Sequence, residues 1–162
     1  MCCASTRILT ATYSIFLALF EREYDRWNAD LASILEENET IGKDDLAGKL
    51  ALSLSERVQL LKLLSMNNYD MEANSRKKLL TDFKKAYGRS MQLFRGILTK
   101  FCPEKSAADI QNIIYIFFPF MFGIYPYAEV TEKQREAMRE AGVDFVYRSV
   151  YEIAYRCLSR LL

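Results

Sequence analysis

Apolar residues recur at helical spacing along most of the chain. Phe16, Phe20, Tyr24, Trp27, Leu31 and Ile34 follow one another at steps of four and three. That places them on one face of a helix whose other faces carry Glu21, Arg22, Asp25 and Arg26. The polar run from Glu36 to Gly42 ends this helix, and a short helix is predicted over 43–52. Ser53-Leu-Ser-Glu56 has the S-x-x-E form of a capping box and predicts a fresh helix holding Val58, Leu60, Leu61, Leu63 and Leu64. Asn67 to Asn74 is a polar weak point where a helix ends or bends. A long helix is then predicted over 75–102, with the stripe Leu80, Phe83, Tyr87, Met91, Phe94, Leu98 and Phe101, and Pro103 stops it.

The window Ile113–Pro126, IIYIFFPFMFGIYP, contains no charge and has Pro119 and Gly123 at its centre. It is predicted to lie in a helix over 106–125 that kinks at Pro119, because proline removes a backbone donor and crowds the turn before it. A bilayer-spanning helix needs about 20 consecutive apolar residues. Gln111, Asn112, Pro119, Gly123 and Pro126 interrupt the run, so burial in a core is the expectation rather than a membrane. Thr131-Glu-Lys-Gln134 is again a capping-box form, opening a short polar helix that Gly142 ends.

The last helix is predicted over 143–162. Val146, Val150, Ile153, Cys157 and Leu161 make one apolar ridge, and Tyr147, Tyr151 and Tyr155 make a second at four-residue steps. Only the strip Arg148, Glu152, Arg156 and Arg160 is charged. A terminal helix apolar on two sides points to one contact inside the protomer and one outside. Homodimerisation is the natural external contact. Val146, Val150, Tyr151, Ile153, Tyr155, Cys157 and Leu161 are the candidate interface residues. Packing within its own core is the competing explanation.

Composition narrows the function classes. With 162 residues, 51% hydrophobic and 27% charged, the chain is a single globular all-α domain. Its 22 Lys+Arg nearly cancel 21 Asp+Glu, so no global field favours nucleic acid. No histidine is present, and Cys2, Cys3, Cys102 and Cys157 have no paired metal spacing, so no metal or cofactor is expected. No phosphate-binding glycine loop or nucleophile motif occurs, which argues against an enzyme. Lack of a secretory signal pattern and four unpatterned cysteines fit a cytoplasmic setting.

Three stretches carry a family resemblance. FLALFEREYDRW (Phe16 to Trp27) looks like the helix that leaves the DNA-binding headpiece of TetR-family transcriptional regulators. LLSMNNYDMEANS followed by LLTDFKK (Leu63 to Lys85) is similar to the middle helices of one subset. FGIYPYAEVTEKQREAMREAGVDF (Phe122 to Phe145) resembles the turn between that subset's two dimer-forming helices. Residues 15–162 therefore resemble an effector-binding and dimerisation domain, while residues 1–14 do not resemble the helix-turn-helix that family members carry first.

This resemblance implies a multi-helix bundle whose last two long helices pair with their copies in a four-helix dimer interface. It also implies a pocket for a small apolar or aromatic effector between the middle helices, and no direct DNA binding by this chain alone. Residues of the right chemistry are Tyr87, Met91, Phe94, Tyr115, Phe118, Phe122 and Tyr125 for an apolar wall, with Asn67, Asn68 and Gln111 as polar contacts. A carbonyl freed by Pro119 would add an acceptor to that wall. Each aromatic taken alone is equally ordinary as packed core. The alternative function is a helical protein–protein interaction module with no small-molecule ligand.

Overall fold

The computed structural model describes residues 3–66 and 68–162, with side chains from Thr12 to Met66 and from Met71 to Leu162. Among the described residues there are eight helices and no strand: α1 (Cys3–Glu37), α2 (Lys43–Ser55), α3 (Val58–Leu64), α4 (Asn68–Ala73), α5 (Lys77–Phe101), α6 (Ala107–Ala128), α7 (Glu132–Glu140) and α8 (Val150–Leu161). The all-α class follows the hydrophobic periods directly. The division between residues 14 and 15 falls inside α1, whose backbone is helical across it.

The apolar stripes of α1 and α5 face each other, and the two helices make the most extensive contact in the fold. Leu17, Phe20, Tyr24, Trp27 and Leu31 of α1 are buried there with Phe83, Phe94, Ile97 and Leu98 of α5. Two polar pins fix the helices' register. The Asn28 side-chain amide donates to the Ala86 carbonyl (3.0 Å). The Ser90 hydroxyl donates to Asn28 Oδ1 (2.7 Å), so two buried polar side chains satisfy each other. A third pin ties α1 to α2: Trp27 Nε1 donates to Ser53 Oγ (3.1 Å), and the Ser53 hydroxyl donates to the Leu50 carbonyl (2.8 Å). On the other side α8 packs along α2 and against α6.

Three local expectations are corrected. Ser53 does not cap a helix. It is buried inside α2, which continues to Ser55, and its hydroxyl serves the Trp27 indole. Arg57 holds the cap position of α3 without a side-chain cap bond. The last helix does not begin at Val143. Gly142 turns the chain at φ +66°, and residues 143–149 are not helical. Phe145 stacks on Tyr127 (5.8 Å), and Arg135 lies over the Tyr147 ring (4.2 Å), so this segment is tied to the end of α6 and to α7. Finally, α6 is assigned helical through Pro119 and Pro126 to Ala128, without a break at either proline.

Capping boxes start the last three helices, at Ser106 with Asp109, Thr131 with Gln134, and Ser149 with Glu152. Hydrogen bonds from the Ser106 hydroxyl and backbone N–H hold the Asp109 carboxyl below its ordinary range. Those from the Ser149 N–H and hydroxyl do the same for Glu152. A carboxyl whose folded pKa is depressed contributes stability above its unfolded pKa of about 4, and the contribution is lost as pH falls through the folded value. The thermal midpoint is therefore expected to hold between about pH 7 and 5 and to fall below about pH 4. The Ser106→Ala, Ser149→Ala double variant should start lower and lose less on acidification in the same melts.

Candidate functional site

Helix α6 has two working faces. Its inner face carries Ile110, Ile113, Ile114, Phe117, Phe118, Met121 and Ile124 into the core. Phe118 is the hub of an aromatic cluster built from three helices. Its ring lies 5.8 Å from Trp27, 5.8 Å from Tyr87 at 82°, and 5.7 Å from Phe94 at 86°. Tyr87 in turn meets Tyr24 edge-on at 5.6 Å. Edge-to-face contacts of this kind are favourable beyond the area that they bury.

Tyr87 is half-buried and marks the way in from solvent. Burial pushes its hydroxyl above the ordinary tyrosine value, helped by the neighbouring Tyr115 and Glu72. Tyr24 is pushed far higher, by burial first and then by Tyr87 and Glu72. Both phenols thus stay neutral at physiological pH and keep a proton to donate. Across the entrance, Lys84 Nζ pairs with Glu72 of α4 (2.7 Å) and lies 5.0 Å from the Phe83 ring centre and 5.7 Å from that of Tyr87. Behind that pair, Met71 of α4 is buried in the core.

The structure brings Tyr87, Phe94 and Phe118 together, with Met91 and Tyr125 half-buried against the same core. Gln111 accepts a hydrogen bond from Arg95 at the edge of α5 and α6. Tyr115 is an electrostatic neighbour of Tyr87 but is 64% exposed, and Phe122 is 42% exposed, so neither closes the interior wall. Asn67 and Asn68 lie outside the residues whose side chains are described. The carbonyl that Pro119 cannot serve is that of Tyr115. Both residues are exposed, which puts the free acceptor on the solvent side rather than in the wall. Sequence reasoning missed Tyr24 and Trp27 as wall residues, although their positions on the α1 stripe were readable.

The outer face of α6 is as apolar as the inner one. Tyr115, Ile116, Phe122 and Tyr127 are exposed on it, with Pro119 and Gly123 between them. Where this face meets the 143–149 segment and α8 there is an apolar groove of about 510 Å³, lined by Pro119, Gly123, Tyr127, Phe145, Val146 and Ile153 among others. By length and composition α6 could cross a membrane, but 39% of its most apolar window is already buried in the fold.

Helix α8 divides its predicted interface residues between two sides. Val146 is 63% exposed, and Ile153 lines the groove; Cys157 and Leu161 follow at four-residue steps and are half-buried. Val150 is instead buried in its own protomer, in line with Ala154 and Leu158. Tyr151 and Tyr155 also turn inward, towards α2. Their rings stack at 5.7 Å, the Tyr155 hydroxyl donates to Asp44 (2.5 Å), and Tyr151 Oη sits 3.5 Å from where a Cβ on Gly48 would be. They line a second, more polar cavity of about 1030 Å³ with Asp44, Asp45 and Lys49. The absence of a side chain on Gly48 lets the tyrosine ridge lie flat on α2. The Cys102 and Cys157 thiols are both pushed up by burial, which leaves them poorly reactive. Among the described residues no group of three His, Cys, Asp or Glu side chains is placed to hold a metal ion.

The order of helices, the aromatic interior beneath Tyr87 and the paired late helices α6 and α8 agree with one family. The family model described as the tetracyclin repressor-like, C-terminal domain matches residues 21–147. The chain belongs to this family. No curated protein matches it. In this TetR-like domain, the match runs from the middle of α1 through α7 to Tyr147 and so includes both faces of α6.

Proposed function

We propose that this TetR-like domain is a ligand-sensing, dimerising regulatory unit that does not read DNA by itself. The observation that carries the reading is the double role of α6. One side of a single helix supplies Phe118 to the aromatic interior, and the opposite side presents Ile116, Pro119, Gly123 and Tyr127 to the outside. A small apolar or aromatic molecule entering beside Tyr87 must displace Phe118 or its neighbours. Any resulting shift of α6 is felt at the outer face, which gives a ligand differential affinity for two arrangements of a dimer.

The dimer face in this reading consists of the outer side of α6 with Val146, Ile153, Cys157 and Leu161. The interior site consists of Tyr87, Met91, Phe94, Phe118 and Tyr125, with Gln111 and Tyr115 at its edge. Near-neutral overall charge, formally +1, fits a unit that leaves DNA to a headpiece carried elsewhere or by a pairing relative. The chemistry is binding rather than catalysis, and nothing in the site calls for a cofactor.

A thermal-shift screen with planar aromatic and alkyl-aromatic molecules tests the sensing role. A ligand at a hundred times its dissociation constant adds about 2.7 kcal/mol, which raises the midpoint of a domain this size by roughly 5–10 °C. Phe118→Trp, which fills the interior, should remove that shift while leaving the dimer intact. Shifts that survive Phe118→Trp would place the ligand elsewhere. The exposed aromatic face also suits a helical interaction module, and a dimer that no small molecule stabilises would favour that second reading.

A further inference from the structure

The outer face of α6 carries both a protrusion and a hollow on one strip. Ile116, Phe120, Gly123 and Tyr127 succeed one another at steps of four, three and four, so they lie along a single line of the helix surface. Ile116 is 52% exposed at the start of this line. Seven residues on, about 10 Å along the axis, Gly123 leaves a gap: nothing lies within 4 Å of where its Cβ would be. That gap is part of the groove walled by Phe145, Val146 and Ile153.

Resting on the dimer reading above, we infer that this groove is a socket for Ile116 of a second copy, with the two-fold axis passing beside Pro119 and Phe120. A two-fold axis midway between knob and hollow seats each copy's Ile116 in the other's groove, so one strip supplies both halves of an isologous contact. Lipid is the poorer occupant. Asp144 and Arg148 rim the groove, and charges at the edge of a protein interface stay wet, whereas in hydrocarbon each costs several kcal/mol.

Gly123→Leu separates the interface from the fold. The new side chain meets nothing in the protomer and replaces a helix-interior glycine, so the isolated protomer should hold or gain stability, by up to about 1 kcal/mol. Filling the socket should nevertheless raise the dimer dissociation constant at least about tenfold, or roughly 1.4 kcal/mol. Gly88→Leu, whose Cβ position is equally open on α5, should leave the dimer unchanged. Sedimentation across a dilution series, with circular dichroism as the fold check, reads both effects. A dimeric parent with an equally tight Gly123→Leu dimer would overturn the socket and leave the dimer reading standing. A monomeric parent would overturn both, as would a parent that floats with phosphatidylcholine–phosphatidylglycerol vesicles instead of dimerising. Should Gly123→Leu not fold, Ile116→Ala removes the knob instead; an unchanged dissociation constant there would equally overturn the socket.

Discussion

Replacing Trp27 with alanine is expected to cost the domain about 3–5 kcal/mol, the range for deleting a large buried aromatic. Trp27 is fully buried, its ring packs against Tyr24 and Phe118, and its N–H is the donor that ties α1 to α2 through Ser53. Helices from three parts of the chain therefore lose a shared contact at once. Against a typical total stability of about 5–15 kcal/mol, that loss brings the domain near unfolding at physiological temperature. Trp27→Phe keeps most of the ring and gives up the hydrogen bond, and should cost about 1–2 kcal/mol. Urea titrations followed by circular dichroism measure both, and equal costs for the two substitutions would show that ring size contributes nothing. Ser53 keeps its bond to the Leu50 carbonyl in either variant, so no buried hydroxyl is orphaned.

Placing lysine at both Ile116 and Tyr127 should have the opposite signature. Both side chains are more than half exposed in the protomer, at 52% and 61%, so protomer stability should change by no more than about 0.5 kcal/mol. In a dimer built on this face the same two positions lie near the two-fold axis, and four introduced ammonium groups would be crowded and partly desolvated there. The dimer dissociation constant should rise at least about a hundredfold, or about 2.7 kcal/mol. Leu52→Lys, equally exposed but on α2 beside the tyrosine ridge, serves as the control and should leave association unchanged. Loss of association in the control as well would point to a general effect of added charge rather than to the α6 face.

The parts of the fold governed by one-dimensional periodicity were legible in the sequence. The stripes from Phe20 to Leu31 and from Phe83 to Phe101 mark buried faces of α1 and α5, because a helix buries what repeats every three to four residues. Two errors have the same physical origin: capping boxes are short patterns whose meaning depends on where the chain already is. Ser53-x-x-Glu56 matched the pattern inside a helix, where the serine serves Trp27. Ser149-x-x-Glu152 matched it and does start α8, yet the apolar residues before it read as a continuation of that helix.

The site was harder to read because α6 is apolar on both faces, and no period reveals which face points inward. Tyr115 and Phe122 were grouped with Phe118 by chemistry alone; the structure separates them by rotation about the helix axis. Likewise the tyrosine ridge of α8 turns towards α2 because Gly48 and Asp44 there accommodate and bind it, a pairing across more than a hundred residues. Such long-range complementarity leaves no trace in local spacing.

Sedimentation velocity of the intact chain across a hundredfold dilution tests the account most directly. A concentration-dependent dimer, lost on placing lysines at Ile116 and Tyr127 while helicity and melting of the protomer persist, is the predicted result. A chain that sediments as a monomer at every concentration would contradict it, since the apolar outer face of α6 would then have no second copy to cover it.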